Sequence, residues 1–226
     1  RNARWLWKQI RQLTLFNTIT DGTLEFLREL RPTYHFWLGL RAYVALFLWL
    51  VVPTFLFASL RKTEGLPGLI VITGGILLAI VLSWAPFLQA RLAVENNWRS
   101  AFHLSTIRDL NRRAPWCWLI ATILTYALSI PLYFTTIILP PRDALWIVNL
   151  LFVICIYPAR IVVGWAYSQS TRRDRPAHFL WCWSASLSIL ALLGFYVFFL
   201  YFSQLIGQQG KLVLFEHPAL LLPVPF

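Results

Sequence analysis

Five long apolar stretches separated by short polar segments dominate the chain. They cover residues 36–60, 66–88, 115–139, 144–167 and 179–205. A helix needs about 20 largely apolar residues to cross about 30 Å of hydrocarbon, and each stretch is long enough. A membrane β-strand needs only about 10 residues and alternates apolar with polar positions; these stretches do neither. The pattern predicts an all-α fold, a multi-pass transmembrane helical bundle of five spans. The first span is charged only at Arg41, near its start, the third contains Pro131, and the fourth carries Asn149, Pro158 and Arg160. Residues 61–65 and 140–143 are short, so spans one and two, and three and four, are expected to form tight hairpins.

The flanking segments have their own periodicity and complete a three-part organisation: 1–35 amphipathic and interfacial, 36–205 the bundle, and 206–226 an extracytoplasmic tail. In the first part Arg1, Arg4, Lys8 and Arg11 recur at helical spacing, with Leu6, Ile10 and Leu13 on another face beside Trp5 and Trp7. This reads as a helix lying in the membrane interface with its basic side toward anionic headgroups, or equally as the end of a helix from a preceding domain. A second short helix is expected to start at Asp21 as N-cap and to stop before Pro32. Between spans two and three, Ala90, Val94, Trp98, Ala101 and Phe102 share one helical side, and Glu95, Arg99 and His103 the other. The pattern slips after His103, and Thr106-x-x-Asp109 offers a capping-box-like restart. The second span is thus expected to run out of the membrane, break, and lead through a short helix into the third.

Composition sharpens this picture. Of 226 residues, 58% are hydrophobic and 13% charged, against about 45–50% and about 25% in soluble domains. Disorder requires the opposite balance, and so much apolar surface could not all be hidden in a soluble fold. The net charge of +11 would suggest nucleic acid in a soluble protein. Here 16 of the 20 Lys and Arg fall on one side of the predicted bundle and 4 on the other. The positive-inside rule places the basic side, with the N-terminus, in the cytoplasm. The expected setting is a bacterial inner (plasma) membrane, with anionic lipid headgroups as partners and no nucleic acid. Trp37, Trp84, Trp116, Trp118, Trp146, Trp165, Trp181 and Trp183 fall near predicted span ends, as an interfacial belt would place them. The chain begins at Arg1 and has no methionine, the pattern expected where the natural start is missing. Arg1 to Arg11 is too charged for a signal peptide.

The search for chemistry returns mostly absences. All nine acids, from Asp21 to Glu216, lie outside the five spans, whereas ion-coupled transporters usually keep a carboxylate in the membrane. No Gly-x-Ser-x-Gly, His-Glu-x-x-His or phosphate-binding glycine loop occurs. His103 and Asp109 have five residues between them, a near miss of the four-residue spacing in some membrane acyltransferases. His35 and His178 fall at predicted interfaces, and His217 on the far side. Cys117, Cys155 and Cys182 sit in apolar runs without metal-site spacing. No catalytic residue, cofactor or metal site is expected. The remaining candidates are Arg41 and Arg160, cations inside spans, which snorkel, pair or line a polar cavity. With Arg99, Arg112 and Arg113 they form the candidate contacts to anionic headgroups. Pro158 would open the helical ladder beside Arg160, and Asn149, Ser129, Thr135 and Ser188 are the candidate lining of a polar cavity.

The run from Pro86 to Glu95 (PFLQARLAVE), continuing to Trp98–Phe102 (WRSAF) and the Arg112-Arg113 pair, resembles a bacterial polytopic membrane family of unknown function. That family is similar in layout to the membrane domain of glycerophosphodiesterases, where a helix leaves the membrane on a small-residue and basic pattern ending in Ala-Phe. The tail from Glu216 to Phe226 also looks like the end of such proteins. The resemblance covers residues 66–226 and implies a multi-pass helical fold with no catalytic residue to carry over. Such domains often have six spans; residues 212–226 are apolar, but prolines make them a poor sixth. The functional expectation is a non-enzymatic structural or regulatory protein that organises lipid, a protein partner or a second copy of itself. The alternative is a small transporter or lipid-handling permease with a cavity near the fourth span. A membrane enzyme, which would join His103, Asp109 and Glu95 at a pocket, is the third class.

Overall fold

The computed structural model describes residues 15–29, 31–58, 65–137 and 145–206. The expected interfacial helix at 1–13, the two hairpin connections at 61–64 and 140–143, the tail beyond residue 206 and any sixth span there lie outside the described residues. Among the described residues there are seven α-helices and no strands. Five are long and apolar enough to cross a membrane, and the chain is a multi-pass helical membrane protein.

The chain divides into two compact units after Leu40. The first contains α1 (Leu15–Glu29) and the opening turns of α2 (Pro32–Ala58). Arg31 turns the chain between them in a left-handed conformation (φ 44°), with its N–H on the Arg28 carbonyl at 3.2 Å. Asp21 does not start α1 but lies inside it. A cap side chain contributes about 1 kcal/mol, and here extension of a helix already nucleated at Leu15 outweighs it.

The second unit contains the rest of α2, α3 (Leu66–Glu95), a 3₁₀ turn (Trp98–Phe102), α4 (Leu104–Arg113), α5 (Pro115–Ile137), α6 (Leu145–Thr171) and α7 (Phe179–Ile206). The C-termini of α3 and α6, the N-termini of α5 and α7, and the short α4 share one end, here called the basic end. Its centre is a continuous apolar core in which Leu82, Phe87, Trp118, Tyr133, Leu193 and Leu200 are almost wholly buried. The outward faces are equally apolar, with Ile161 68% and Phe195 70% exposed. A helix apolar all round is stable only where hydrocarbon is the solvent.

The exit from α3 differs in detail from expectation. The helix breaks at Asn96, seven residues before His103, because Asn96 takes the left-handed conformation (φ 48°) and its N–H closes on the Leu92 carbonyl at 2.8 Å. Asparagine is the residue after glycine best suited to that cap. Asn97 then caps the 3₁₀ turn, its side chain accepting from the Arg99 N–H at 3.1 Å. The helix α4 starts at Leu104, so Thr106 and Asp109 lie inside it and form no capping box. The expected shared face is split as well: Val94 is 69% exposed and Ala101 is 1% exposed. Trp118 is also not interfacial. It is buried, stacked on Phe87 with ring centroids 3.6 Å apart, and donates to Ser170 Oγ at 2.6 Å. That bond supplies from α6 the polar partner that a headgroup would otherwise give the indole N–H.

At Gly74 the backbones of α2 and α3 come close together. A Cβ there would lie 2.6 Å from the Phe57 backbone nitrogen. Gly74→Ala is expected to cost about 1–3 kcal/mol, because backbone rather than a flexible side chain must move. Gly164→Ala, where a Cβ would meet nothing within 4 Å, is expected to be neutral or stabilising by up to about 1 kcal/mol. Thermal unfolding of the two purified variants checks the pair.

Candidate functional site

The buried polar groups of the bundle converge on α3 between Leu82 and Gln89. Pro86 lies inside α3 and has no N–H, so the carbonyl four residues earlier, that of Leu82, loses its helical donor. The Tyr126 hydroxyl reaches across from α5 and donates to that carbonyl at 2.5 Å. Ser129, one turn further along α5, hydrogen-bonds with the Tyr126 carbonyl at 2.8 Å and with the Tyr196 hydroxyl of α7 at 3.0 Å. The Tyr126 and Tyr196 rings pack 5.0 Å apart. A chain of hydroxyls thus ties α3, α5 and α7 together at a point where lipid offers no partner.

One turn beyond Pro86, Gln89 is buried and its Oε1 accepts from Arg160 Nη1 of α6. The other amide atom, Gln89 Nε2, is buried with no hydrogen-bond partner, as is Thr125 Oγ1. Both residues border a cavity of about 30 Å³ whose walls include Ser129, Cys155 and Arg160. That space holds roughly one or two water molecules. Polar atoms left over at this depth make such waters favourable, since an unsatisfied buried donor costs about 1–3 kcal/mol.

Of the residues expected to line a polar cavity, only Ser129 does so. Thr135 back-bonds to the Leu132 carbonyl at 2.6 Å. Asn149 is exposed near the start of α6, and Ser188 is exposed on α7; none of these three borders the cavity. The candidate headgroup arginines also separate. Arg160 is partly buried on Gln89. Arg41 donates to Asn96 Oδ1 at 3.2 Å, bracing the break after α3. Arg99 and Arg112 are exposed, and Arg113 is half-buried and donates to the Arg173 carbonyl at 3.3 Å. Arg112 also lies 3.9 Å from Asp109, a spacing worth little at an exposed site.

The groups that a catalytic pocket would join each have a local contact instead. Glu95 pairs with Arg91 at 2.7 Å, and His103 Nδ1 sits 2.6 Å from the Arg99 carbonyl. Among the described residues no cluster of three His, Cys, Asp or Glu side chains could hold a metal ion. No protein-family model, curated protein or solved structure matches the chain.

Three residues of this centre, Gln89, Tyr126 and Tyr196, are absent from the sequence-derived candidates. The available signal is Pro86. A proline inside a span frees a carbonyl four residues back, and Gln89 is the polar residue one turn on. Tyr126→Phe is expected to destabilise the bundle by about 1–3 kcal/mol by orphaning the Leu82 carbonyl. In a Pro86→Ala background, where a backbone N–H returns, the same change is expected to cost less. A double-mutant cycle by thermal or denaturant unfolding reads that coupling.

Proposed function

We propose that this chain is a non-enzymatic protein of a bacterial plasma membrane that organises lipid around a rigid bundle, its basic end cytoplasmic and in contact with anionic headgroups. The observation that carries this reading is how the polar side chains inside the bundle are used. Tyr126, Ser129, Tyr196, Gln89 and Arg160 are engaged in bonds across helices, and the space between them is about 30 Å³. Such a centre staples helices, and the space within it holds water but no larger solute. Arg99, Arg108, Arg112, Arg172, Arg173 and Arg175 are exposed at one end. Each Lys or Arg near an anionic surface adds about 1 kcal/mol of attraction, and the same asymmetry supports a cytoplasmic basic end.

The second reading, a small permease, draws on Arg160 two residues past Pro158 beside the cavity. Cys155 separates the two, since it is buried in the cavity wall. In a variant with Cys117 and Cys182 replaced by Ser, Cys155 is expected to stay unlabelled by a water-soluble maleimide while an Arg172→Cys reporter reacts fully. Labelling of Cys155 at a comparable rate would favour the permease. In vesicles of mixed zwitterionic and anionic lipid, the boundary lipid is expected to be enriched in the anionic species. Arg112→Gln with Arg113→Gln is expected to lower that enrichment, by up to about fivefold per arginine at low salt.

A further inference from the structure

The helices α3 and α7 leave a long groove between them. Away from the basic end it has a volume of about 810 Å³ and is lined by Gly68, Gly75, Ile76, Gly194 and Phe198 among other apolar residues. Toward the basic end a second hollow, about 510 Å³, shares Leu190 with the first, and Ala79 of one is followed in α3 by Ile80 of the other. From Gly68 to Trp84 the helix rises about 24 Å, most of the roughly 30 Å of hydrocarbon. The two hollows meet at Leu190 and together run along most of that length, the dimensions of a chain-like apolar molecule.

The basic-end hollow differs in chemistry. Trp84, Arg108, Asn111 and Ser186 border it. Trp84 Nε1 and Asn111 Oδ1 are both buried with no hydrogen-bond partner. One is an obligate donor and the other an acceptor. Arg108 is exposed beside them and takes part in neither of the two ion pairs found among the described residues. A donor, a cation and an acceptor on residues bordering an apolar groove match a phosphodiester carrying a hydroxyl. The phosphate oxygens would pair with the exposed Arg108 and, once the two side chains turn toward the hollow, accept from Trp84 while a hydroxyl donates to Asn111; an acyl chain would follow the groove past Gly194.

We propose that this groove is a binding site for one anionic glycerophospholipid with a hydroxyl-bearing headgroup. The proposal rests on the lipid-organising reading above and assigns it a specific site. The test is native mass spectrometry of the full chain released from vesicles of equal phosphatidylglycerol and phosphatidylcholine. The expected result is one retained phosphatidylglycerol per chain. Arg108→Gln with Asn111→Leu is expected to lower its retention about tenfold or more. Gly194→Leu is expected to abolish retention of either lipid. A Cβ at Gly194 would meet nothing within 4 Å, so a side chain there starts in the open space of the groove, and an unchanged far-UV circular dichroism spectrum checks that the fold is kept. Gly164→Leu, on α6 outside both hollows and equally uncrowded, is expected to change nothing. Retention that ignores both Gly194→Leu and the Arg108/Asn111 pair would overturn the site. A stable dimer broken by Gly194→Leu, with no lipid retained, would give the groove to a second copy and also overturn it. In either case anionic enrichment of the boundary lipid would leave the broader reading standing; its loss would remove both.

Discussion

In hydrocarbon no water is available to a backbone carbonyl that has lost its helical donor, and this chain places a proline inside four of its five spanning helices, at Pro53, Pro86, Pro131 and Pro158. Each creates a polar demand that must be met by distortion, by water or by another helix. At Pro86 the solution is explicit. The freed Leu82 carbonyl accepts from Tyr126, and the order imposed on Tyr126 extends through Ser129 to Tyr196. Apolar packing alone brings membrane helices together weakly, since lipid tails are as apolar as leucine. The register of α3 against α5 and α7 thus depends on a backbone defect and the side chain that fills it.

The arginines divide into two populations with different energetics. Arg91, 8% exposed, is fixed by Glu95 and by the His103 carbonyl at 3.0 Å. With Trp49 donating to the Ala101 carbonyl at 3.1 Å, it bolts the 3₁₀ turn back onto α2 and α3. Arg160 bonds within the bundle to Gln89. These charges are desolvated, so losing one partner would leave a strongly penalised group behind. The exposed arginines of the same end keep their hydration and act through a field that salt screens over about 10 Å. The net charge of +11 is therefore two properties: a few structural cations whose partners are internal, and a surface charge directed at whatever lies outside.

Hydrophobic period and length made the five spans legible, because span length is dictated by bilayer thickness whatever the partners are. The structure begins its spanning helices at Pro32, Leu66, Pro115, Leu145 and Phe179, within four residues of the sequence-derived starts. What was not legible depends on pairing. Trp118 reads as interfacial from its place near a span end, but the Ser170 hydroxyl 52 positions away allows it to be buried. Asn149, Thr135 and Ser188 read as cavity-lining from polarity alone, yet the rotation of a helix about its axis decides which side a lone polar residue takes. Nearly uniform apolar spans carry little information on that rotation. Gln89 escaped because its meaning comes from Pro86 on its own helix and Arg160 on another.

Glycine shows how one helix can serve two opposed requirements. At a helix interior it costs about 1 kcal/mol relative to alanine, so its use calls for a local reason. Gly74 has one: the α2 backbone occupies the space of its missing Cβ. Gly75, the next residue, would place a Cβ 3.3 Å from the Phe57 ring and 3.4 Å from Val197, ordinary to tight contact at the edge of the groove. Gly194 has no such neighbour; what its missing side chain preserves is open volume opposite α3. Gly164 is equally uncrowded on α6, so openness by itself does not mark a site. The difference is position. Gly194 shares its groove with Gly68 and Gly75 and leads toward the unpartnered Trp84 and Asn111 atoms. In α3, then, one glycine admits the α2 backbone and the next borders a groove against α7, and that groove leads toward residues whose polar atoms the protein itself leaves without a partner.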